Sequence, residues 1–360
     1  MATIELVDIK HTYVKARTET HALRGINLTF KDGCPSALLG PSGCGKTTLL
    51  NILSGLLKPT SGRVLFNGKD VTDLETEQRN IAQVFQFPVV YDSMDVYGNF
   101  AFPLKNRGAS HSEVEKRVRE VADLLDLSNE LRASPRSLGA GQRQLLALGR
   151  CLVRKDTAVV LLDEPMTQID VHQRWYLRRE LSKVQSSLNV TMIYVTHDQY
   201  EALTFAERVM VMKDGLVIQE GTPEELYQNP QTPFVGYFIG TPGMNVLECE
   251  LEGDFLVFRG FKKYLSPGLR KRIQSRGTRF TIGIRPEFIH CELKKQENWS
   301  PLEVSIIEDR GEFNILTLTV KDISLKSQVP GTLKVTEGDQ VWVNFLEEKI
   351  KFYKNDQLIN

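Results

Sequence analysis

No run of apolar residues in this 360-residue chain approaches the roughly 18–20 that a membrane-spanning helix requires. The longest clean run, at 158–162, is strand-sized. Net charge is lacking too. The chain holds 45 Lys+Arg against 45 Asp+Glu, which argues against a dedicated nucleic-acid binder, whose domain is usually strongly basic. The first residues, Met1-Ala2-Thr3-Ile4-Glu5, show no charged segment followed by an apolar one, so no secretory signal pattern is visible. The five cysteines, Cys34, Cys44, Cys151, Cys249 and Cys291, are odd in number and form no C-x-x-C pair. That usage suits free thiols in a reducing compartment and offers no zinc site. These absences predict a soluble, cytoplasmic chain whose membrane role, if it has one, comes through a partner.

What remains is ordinary: 41% apolar, 25% charged and 8% aromatic. Such a chain can bury a core, and its length suits two domains. Residues 1–240 alternate short β-like runs with helical patterns. Ser36-Ala37-Leu38-Leu39 reads as a strand before a glycine-rich loop, and residues 47–57 read as the helix after it. Arg63-Val64-Leu65-Phe66 followed by Asn67-Gly68 predicts a strand entering a tight hairpin. Ser110-x-x-Glu113 predicts a capping box for a helix with Val114, Val118, Val121 and Leu125 on one face. The apolar runs at 159–162 and 190–195 suit strands inside a parallel sheet. This rhythm predicts an α/β domain with its ligand at the carboxyl ends of the strands.

Past Gly240 the pattern changes to short alternating runs, at 255–258, 280–284, 302–307, 315–320 and 341–345. Gly253-Asp254, Lys321-Asp322 and Pro330-Gly331 supply the turns. A small β-barrel or sandwich over residues 241–360 is expected. The basic stretch Arg270-Lys271-Arg272 with Arg276 and Arg279 reads as a solvated loop, because no aromatics interleave with it.

Gly40-Pro41-Ser42-Gly43-Cys44-Gly45-Lys46-Thr47 fits G-x-x-x-x-G-K-[ST], between a predicted strand and a predicted helix. Glycines let the backbone curl until successive N–H groups point into one cavity, and the helix adds its positive end. Lys46 is placed to reach the β- and γ-phosphates and the Thr47 hydroxyl to ligand Mg²⁺, with Thr48 next in the helix. Further on, Val159-Val160-Leu161-Leu162-Asp163-Glu164 is an apolar strand ending in two acids. Asp163 is expected to bind Mg²⁺, and Glu164 to orient and deprotonate the attacking water. Cys44 sits inside the glycine loop, where small size explains it.

Ser137-Leu138-Gly139-Ala140-Gly141-Gln142 resembles the L-S-G-G-Q signature of ATP-binding cassette (ABC) proteins, and the family's other markers follow in order. Tyr13 stands where the family stacks adenine. Gln86 matches the Q-loop, Asp163-Glu164-Pro165 the Walker B segment, Ile169-Asp170 the end of the D-loop, and Val195-Thr196-His197-Asp198-Gln199 the switch histidine. The resemblance implies a P-loop NTPase of ABC cassette form, with a RecA-like core and a helical subdomain near 87–157. It implies ATP and Mg²⁺ as cofactors, Thr47, Gln86 and Asp163 at the metal, and His197 at the γ-phosphate. It also implies a head-to-tail pair of cassettes in which Gly139, Gly141 and Gln142 complete the partner's site.

Two features refine the resemblance. Thr222-Pro223-Glu224-Glu225-Leu226-Tyr227 and Ile282-Gly283-Ile284-Arg285-Pro286-Glu287 are similar to importer ATPases for carbohydrates and polyols, whose C-terminal regulatory domain is an OB-like β-barrel. The segment 79–92 looks closest to ATPase subunits of bacterial glycerol importers. Those systems imply two transmembrane permease subunits, a second ATPase subunit, a periplasmic solute-binding protein and a place on the cytoplasmic face of the inner membrane. Glycerol-3-phosphate or a sugar is the alternative solute. The family's signature serine is Gly139 here. A hydroxyl bonded to a charged phosphate contributes roughly 1.5–3 kcal/mol, so its loss slows turnover by roughly 10- to 100-fold: at both sites of a homodimer, or only at the partner's site in a heterodimer, where Lys46 and Glu164 use the partner's signature. A mainly regulatory ATP-binding subunit, or a non-transport ABC protein, are the competing readings. The latter usually carries two cassettes or a long coiled coil, and neither is visible.

Overall fold

The computed structural model describes residues 2–15, 18–258, 261–321 and 323–359. Two compact units divide between Pro223 and Glu224.

The first unit holds two sheets. Strands β1 (Ile4–Lys15), β2 (Thr18–Phe30), β4 (Ser61–Phe66) and β5 (Lys69–Asp70) form an antiparallel sheet in the order β2-β1-β4-β5. The hairpin between β4 and β5 turns on Asn67 and Gly68, both at positive φ, as the Asn-Gly pair predicts. The second sheet runs β10 (Leu216–Gly221), β9 (Arg208–Lys213), β3 (Ser36–Leu39), β8 (Met192–Thr196), β7 (Val159–Asp163) and β6 (Ile81–Val84). All its neighbours pair in parallel except the β9–β10 hairpin. The strands at its centre are buried end to end, which is why they read as unbroken apolar runs.

Helix α1 (Lys46–Ser54) joins the two sheets' core. Its Leu49, Leu50, Ile52 and Leu53 are fully buried with Ile4, Leu28 and Phe30 of the antiparallel sheet and Leu161 and Ile193 of the parallel one. Each such side chain contributes about 1.5–3 kcal/mol by burial. The helix ends earlier than the pattern over 47–57 suggests. Gly55 adopts φ 81, and buried Arg79 donates to the carbonyls of Ile52 and Leu53, so the last turn is closed by a glycine and a guanidinium.

Between β6 and β7 the chain is helical: α2 (Val96–Lys105), α3 (His111–Leu124) and α4 (Ala140–Leu152). The Ser110–Glu113 capping box forms, and Val114, Val118, Val121 and Leu125 are buried. Gly149 lets α4 approach α2, since a Cβ there would meet the Phe100 ring at 2.3 Å. Helices α5 (Val171–Leu188) and α6 (Gln199–Phe205) follow β7 and β8.

The second unit is an OB-like barrel of antiparallel strands. One sheet has six strands within 245–358 and the other five within 289–345, and they share one core that includes Leu256, Phe261, Ile282, Val304, Leu316 and Phe345. The five expected strand runs all lie in strands. Of the turn Lys321-Asp322, Asp322 lies outside the described residues. Two departures stand out. Residues 267–274 form a helix, α7 in order of introduction (Pro267–Gln274), where a solvated loop was expected. Leu269 and Ile273 face the core and the basic side chains face out. The unit also begins earlier than the expected boundary near Gly240. Buried Arg285 donates to the carbonyls of Tyr227 and Ile239 and lies 3.5 Å over the Tyr227 ring, which ties residues 224–240 to the barrel.

Candidate active site

The glycine loop between β3 and α1 is shaped by backbone positions that only glycine fills. A Cβ on Gly40 would lie 2.4 Å from the Met212 carbonyl oxygen, and one on Gly45, at φ 106, would lie 2.6 Å from that of Ala22. Lys46 is buried, and its ammonium donates to the carbonyls of Gly40 (2.8 Å) and Pro41 (3.0 Å). Its head group is thereby already inside the loop. A phosphate entering there meets a desolvated cation and the N-terminus of α1. Cys44 is also buried, with Sγ 3.9 Å from Lys46 Nζ. Burial pushes its thiol pKa up, against the pull of Lys46. Tyr13, on β1, is exposed, and its hydroxyl lies 3.4 Å from the Thr48 hydroxyl. The ring therefore stands beside the start of the loop's helix.

At the end of β7 the two acids part. Asp163 stays half-buried, and burial, then Glu164, pushes its pKa up while Lys46 pulls it down. Glu164 takes φ 45, rare for a non-glycine residue. Its carboxylate is held at both oxygens: Thr167 Oγ1 donates to Oε2 at 3.2 Å, and His197 Nδ1 lies 3.1 Å from Oε1. His197 follows β8, and the turn around it hangs on Glu201. Tyr194 and Thr196 both donate to Glu201 Oε2, at 3.0 and 2.8 Å, and the Asp198 amide donates to Thr196 Oγ1 at 3.0 Å. All three of Tyr194, Thr196 and Glu201 are buried. Glu201 has no motif to announce it; only its position four residues after His197 on a capped helix gives a sequence signal.

Gln86 is half-buried just past β6, and its side chain makes no hydrogen bond among the described residues. Its segment is fastened from α4: buried Gln144 donates to the Phe85 carbonyl at 3.2 Å, and Arg150 donates to the Val89 carbonyl and stacks 4.3 Å from the Tyr91 ring. Gly139, Gly141 and Gln142 form a separate group at the N-terminus of α4. The Gly139 amide donates to Gln142 Oε1 (3.2 Å), Gln142 Nε2 to Glu130 (3.4 Å) and the Gly141 amide to Gln173 Oε1 (3.3 Å). None of these bonds reaches the glycine loop.

A fixed glycine loop with a buried lysine, an apolar strand ending in two acids and a histidine paired to the second acid define a P-loop nucleotide hydrolase. The comparisons narrow this. The ABC transporter family model matches residues 23–167, and a TOBE domain model matches 282–351. The trehalose/maltose import ATP-binding protein MalK of Thermococcus litoralis is 40% identical over 98% of both chains. The sn-glycerol-3-phosphate import ATP-binding protein UgpC of Bordetella avium is 40% identical over 86% of this chain and 84% of its own. Among solved structures, the dimeric cassette MJ0796 bound to ADP and Pi is similar, with TM-score 0.54 and 31% identity over 61% of this chain and 98% of that one. CbiO1 of Clostridium perfringens, part of the cbiONQ transporter complex, gives TM-score 0.57 at 30% identity over 62% of this chain and 89% of its own. The chain belongs to the ABC transporter family, as an ATP-binding subunit of the carbohydrate-importer type. It hydrolyses ATP, with Mg²⁺, to drive transport.

Proposed function

We propose that the chain drives uptake of glycerol or a related small polyol, bound to two transmembrane permease subunits and closing against a second, non-identical ATPase chain. The observation that carries the permease partnership is an exposed apolar edge in the Gln86 segment: Phe85, Phe87, Val89 and Tyr91 stand in solvent, with Phe87 66% exposed. Behind it lies a cavity of about 240 Å³ lined by Val84, Pro103, Ala147 and Cys151. Exposed apolar clusters of this kind mark interaction sites, and this one shares a short segment with Gln86, the proposed catalytic and metal-binding glutamine of the Q-loop. No helix of the described residues is long and apolar enough to cross a membrane. The likeness to importer ATPases supports a peripheral place on the cytoplasmic face of the inner membrane, with a periplasmic solute-binding protein acting through the permease.

Within the site, Gly40, Pro41, Ser42, Gly43, Cys44, Gly45, Lys46, Thr47 and Thr48 hold the phosphates and Tyr13 the base. Thr47, Gln86 and Asp163 face Mg²⁺. Glu164 takes the proton of the attacking water, and His197 contacts the γ-phosphate. The signature group at Gly139, Gly141 and Gln142 serves a facing cassette. The residues fit this assignment: the loop has no room for a Cβ at Gly40 or Gly45, and Lys46 is held by carbonyls alone among protein oxygens.

Glycerol rests on the likeness of residues 79–92 and on Gly139, which suits a pair of unlike ATPases. The names of the relatives favour a second reading, in which the solute is sn-glycerol-3-phosphate or a disaccharide. Uptake of radiolabelled glycerol, glycerol-3-phosphate and maltose by the complex copurified through this subunit decides between them. The proposal expects glycerol alone to be driven by ATP.

A further inference from the structure

The signature turn lacks the hydroxyl that its family carries, and the neighbouring polar side chains are committed elsewhere. Ser137 donates to the Ser134 carbonyl at 2.8 Å. Gln142 is used at both ends, by the Gly139 amide and by Glu130. Gln173 is different. It sits in the first turn of α5, where Asp170 caps the helix by accepting the Gln173 amide at 3.0 Å. Its side chain is exposed, its Oε1 takes the Gly141 amide at 3.3 Å, and its Nε2 has no hydrogen-bond partner among the described residues. One residue thereby bridges the loop after the Walker B acids and the N-terminus of the signature helix. The space that a serine side chain would need is open: a Cβ on Gly139 finds only Gln142 Oε1, at 3.9 Å.

We infer that Gln173 supplies the side-chain hydrogen-bonding group of the signature turn in place of the hydroxyl absent at position 139, directed at the terminal phosphate of ATP held by the facing cassette. This rests on the proposed pairing of cassettes. A phosphate oxygen is a stronger acceptor than a carboxamide oxygen, so it displaces Oε1 from the Gly141 amide. A half-turn of the carboxamide then presents Nε2, and one phosphate oxygen receives both donors. The Gly141 amide and Gln173 act as a pair, which the bond already seen between them prepares.

The test uses the complex copurified through this subunit, with three variants: Gln173→Leu, Gly139→Ser and the two together. Two readouts are taken: steady-state ATP turnover, and affinity for a non-hydrolysable ATP analogue, since the site that Gln173 serves is the facing cassette's and substitution of Glu164 leaves hydrolysis there intact. Gln173→Leu is expected to weaken ATP affinity and lower turnover about tenfold each, the effect of one hydrogen bond to a charged group. Gly139→Ser is expected to restore both in the double variant. Gln173→Glu, which keeps the shape but sets a carboxylate against the phosphate, is expected to lose more affinity, most at low salt. Higher turnover in Gln173→Leu would show the carboxamide to be a plug and overturn the inference. So would unchanged affinity with only a lower Tm, which a helix cap alone explains, or a failure of Gly139→Ser to rescue. If the wild-type complex neither binds nor hydrolyses ATP, the ATPase reading falls. If it does both and the Gln173 variants match it, only this inference falls.

Discussion

His197 Nδ1 lies 3.1 Å from Glu164 Oε1. A carboxylate oxygen only accepts, so Nδ1 is the donor, and in the role proposed for His197 it is Nε2 that meets the γ-phosphate. The pair joins the ends of two adjacent parallel strands, β7 and β8, and the Glu164 amide donates to the Val195 carbonyl beneath it at 2.9 Å. The unusual backbone at Glu164, φ 45, is thus held from three sides: by Val195, Thr167 and His197. Strain of this kind costs about 1–3 kcal/mol and persists where the surroundings enforce it.

The glycine loop admits a steric test. Gly45→Ala places a Cβ 2.6 Å from the Ala22 carbonyl at φ 106, so nucleotide binding is expected to be lost with at least about 1–3 kcal/mol of stability. Gly43 also has positive φ, but a Cβ there meets nothing within 4 Å. Gly43→Ala is expected to lose stability with no clash. Chemical denaturation and ATP binding of the two variants check this contrast.

Cys44 reports on loop occupancy. Burial raises its pKa, so a thiol reagent is expected to react slowly at neutral pH and faster as the pH rises toward the thiol pKa. Once modified, the loop has no space for phosphate, and ATP present beforehand protects the thiol. Mass spectrometry of the labelled chain with and without ATP gives the answer. Nucleotide affinity unaltered after full labelling at Cys44 speaks against the loop's role.

Glu201 makes a pH-dependent prediction. Burial first, opposed by the Thr196 and Tyr194 hydroxyls, raises its pKa above the ordinary 4.5. A raised carboxyl pKa means that the stability it contributes is complete below the unfolded value and is lost as the pH climbs through the folded one. Glu201→Gln, which keeps an accepting oxygen, is expected to be at least as stable as the wild type at pH 7, with its advantage vanishing below about pH 4.5. Glu201→Ala strands two buried hydroxyls and is expected to cost about 1–3 kcal/mol for each. Thermal unfolding across that pH range checks both signs.

The apolar edge beside Gln86 is tested by Phe87→Asp. Phe87 lies on the surface, and its loss leaves the glycine loop and Glu164 untouched. ATP binding by the purified chain is expected to be unchanged, while recovery of permease subunits with the chain drops. Equal recovery removes the edge from the permease contact.

Much of the site was legible because phosphate chemistry restricts residue types at fixed spacing. The strand, glycine loop and helix at 36–54 and the apolar strand ending in Asp163-Glu164 follow from local sequence alone. Contacts made across the fold were not legible. Gln173 and Glu201 read as ordinary polar helix residues until α5 is laid against α4 and α6 against β8. The helix at Pro267–Gln274 was hidden by its basic residues, which outnumber the two apolar side chains, Leu269 and Ile273, that hold it to the core. The unit boundary was masked because residues 224–240 lack strand pattern and join the barrel through Arg285, a contact distant in sequence.

The central claim is that this chain's own Glu164 performs hydrolysis. The direct measurement is a single turnover of radiolabelled ATP by the copurified complex carrying Glu164→Gln, with Lys46→Ala as the non-binding control. The account expects ATP to be retained by Glu164→Gln and recovered intact, with hydrolysis at this site slowed by about 10²–10⁴-fold, and no retention by Lys46→Ala. ADP formed at this site at the wild-type rate in Glu164→Gln would contradict it.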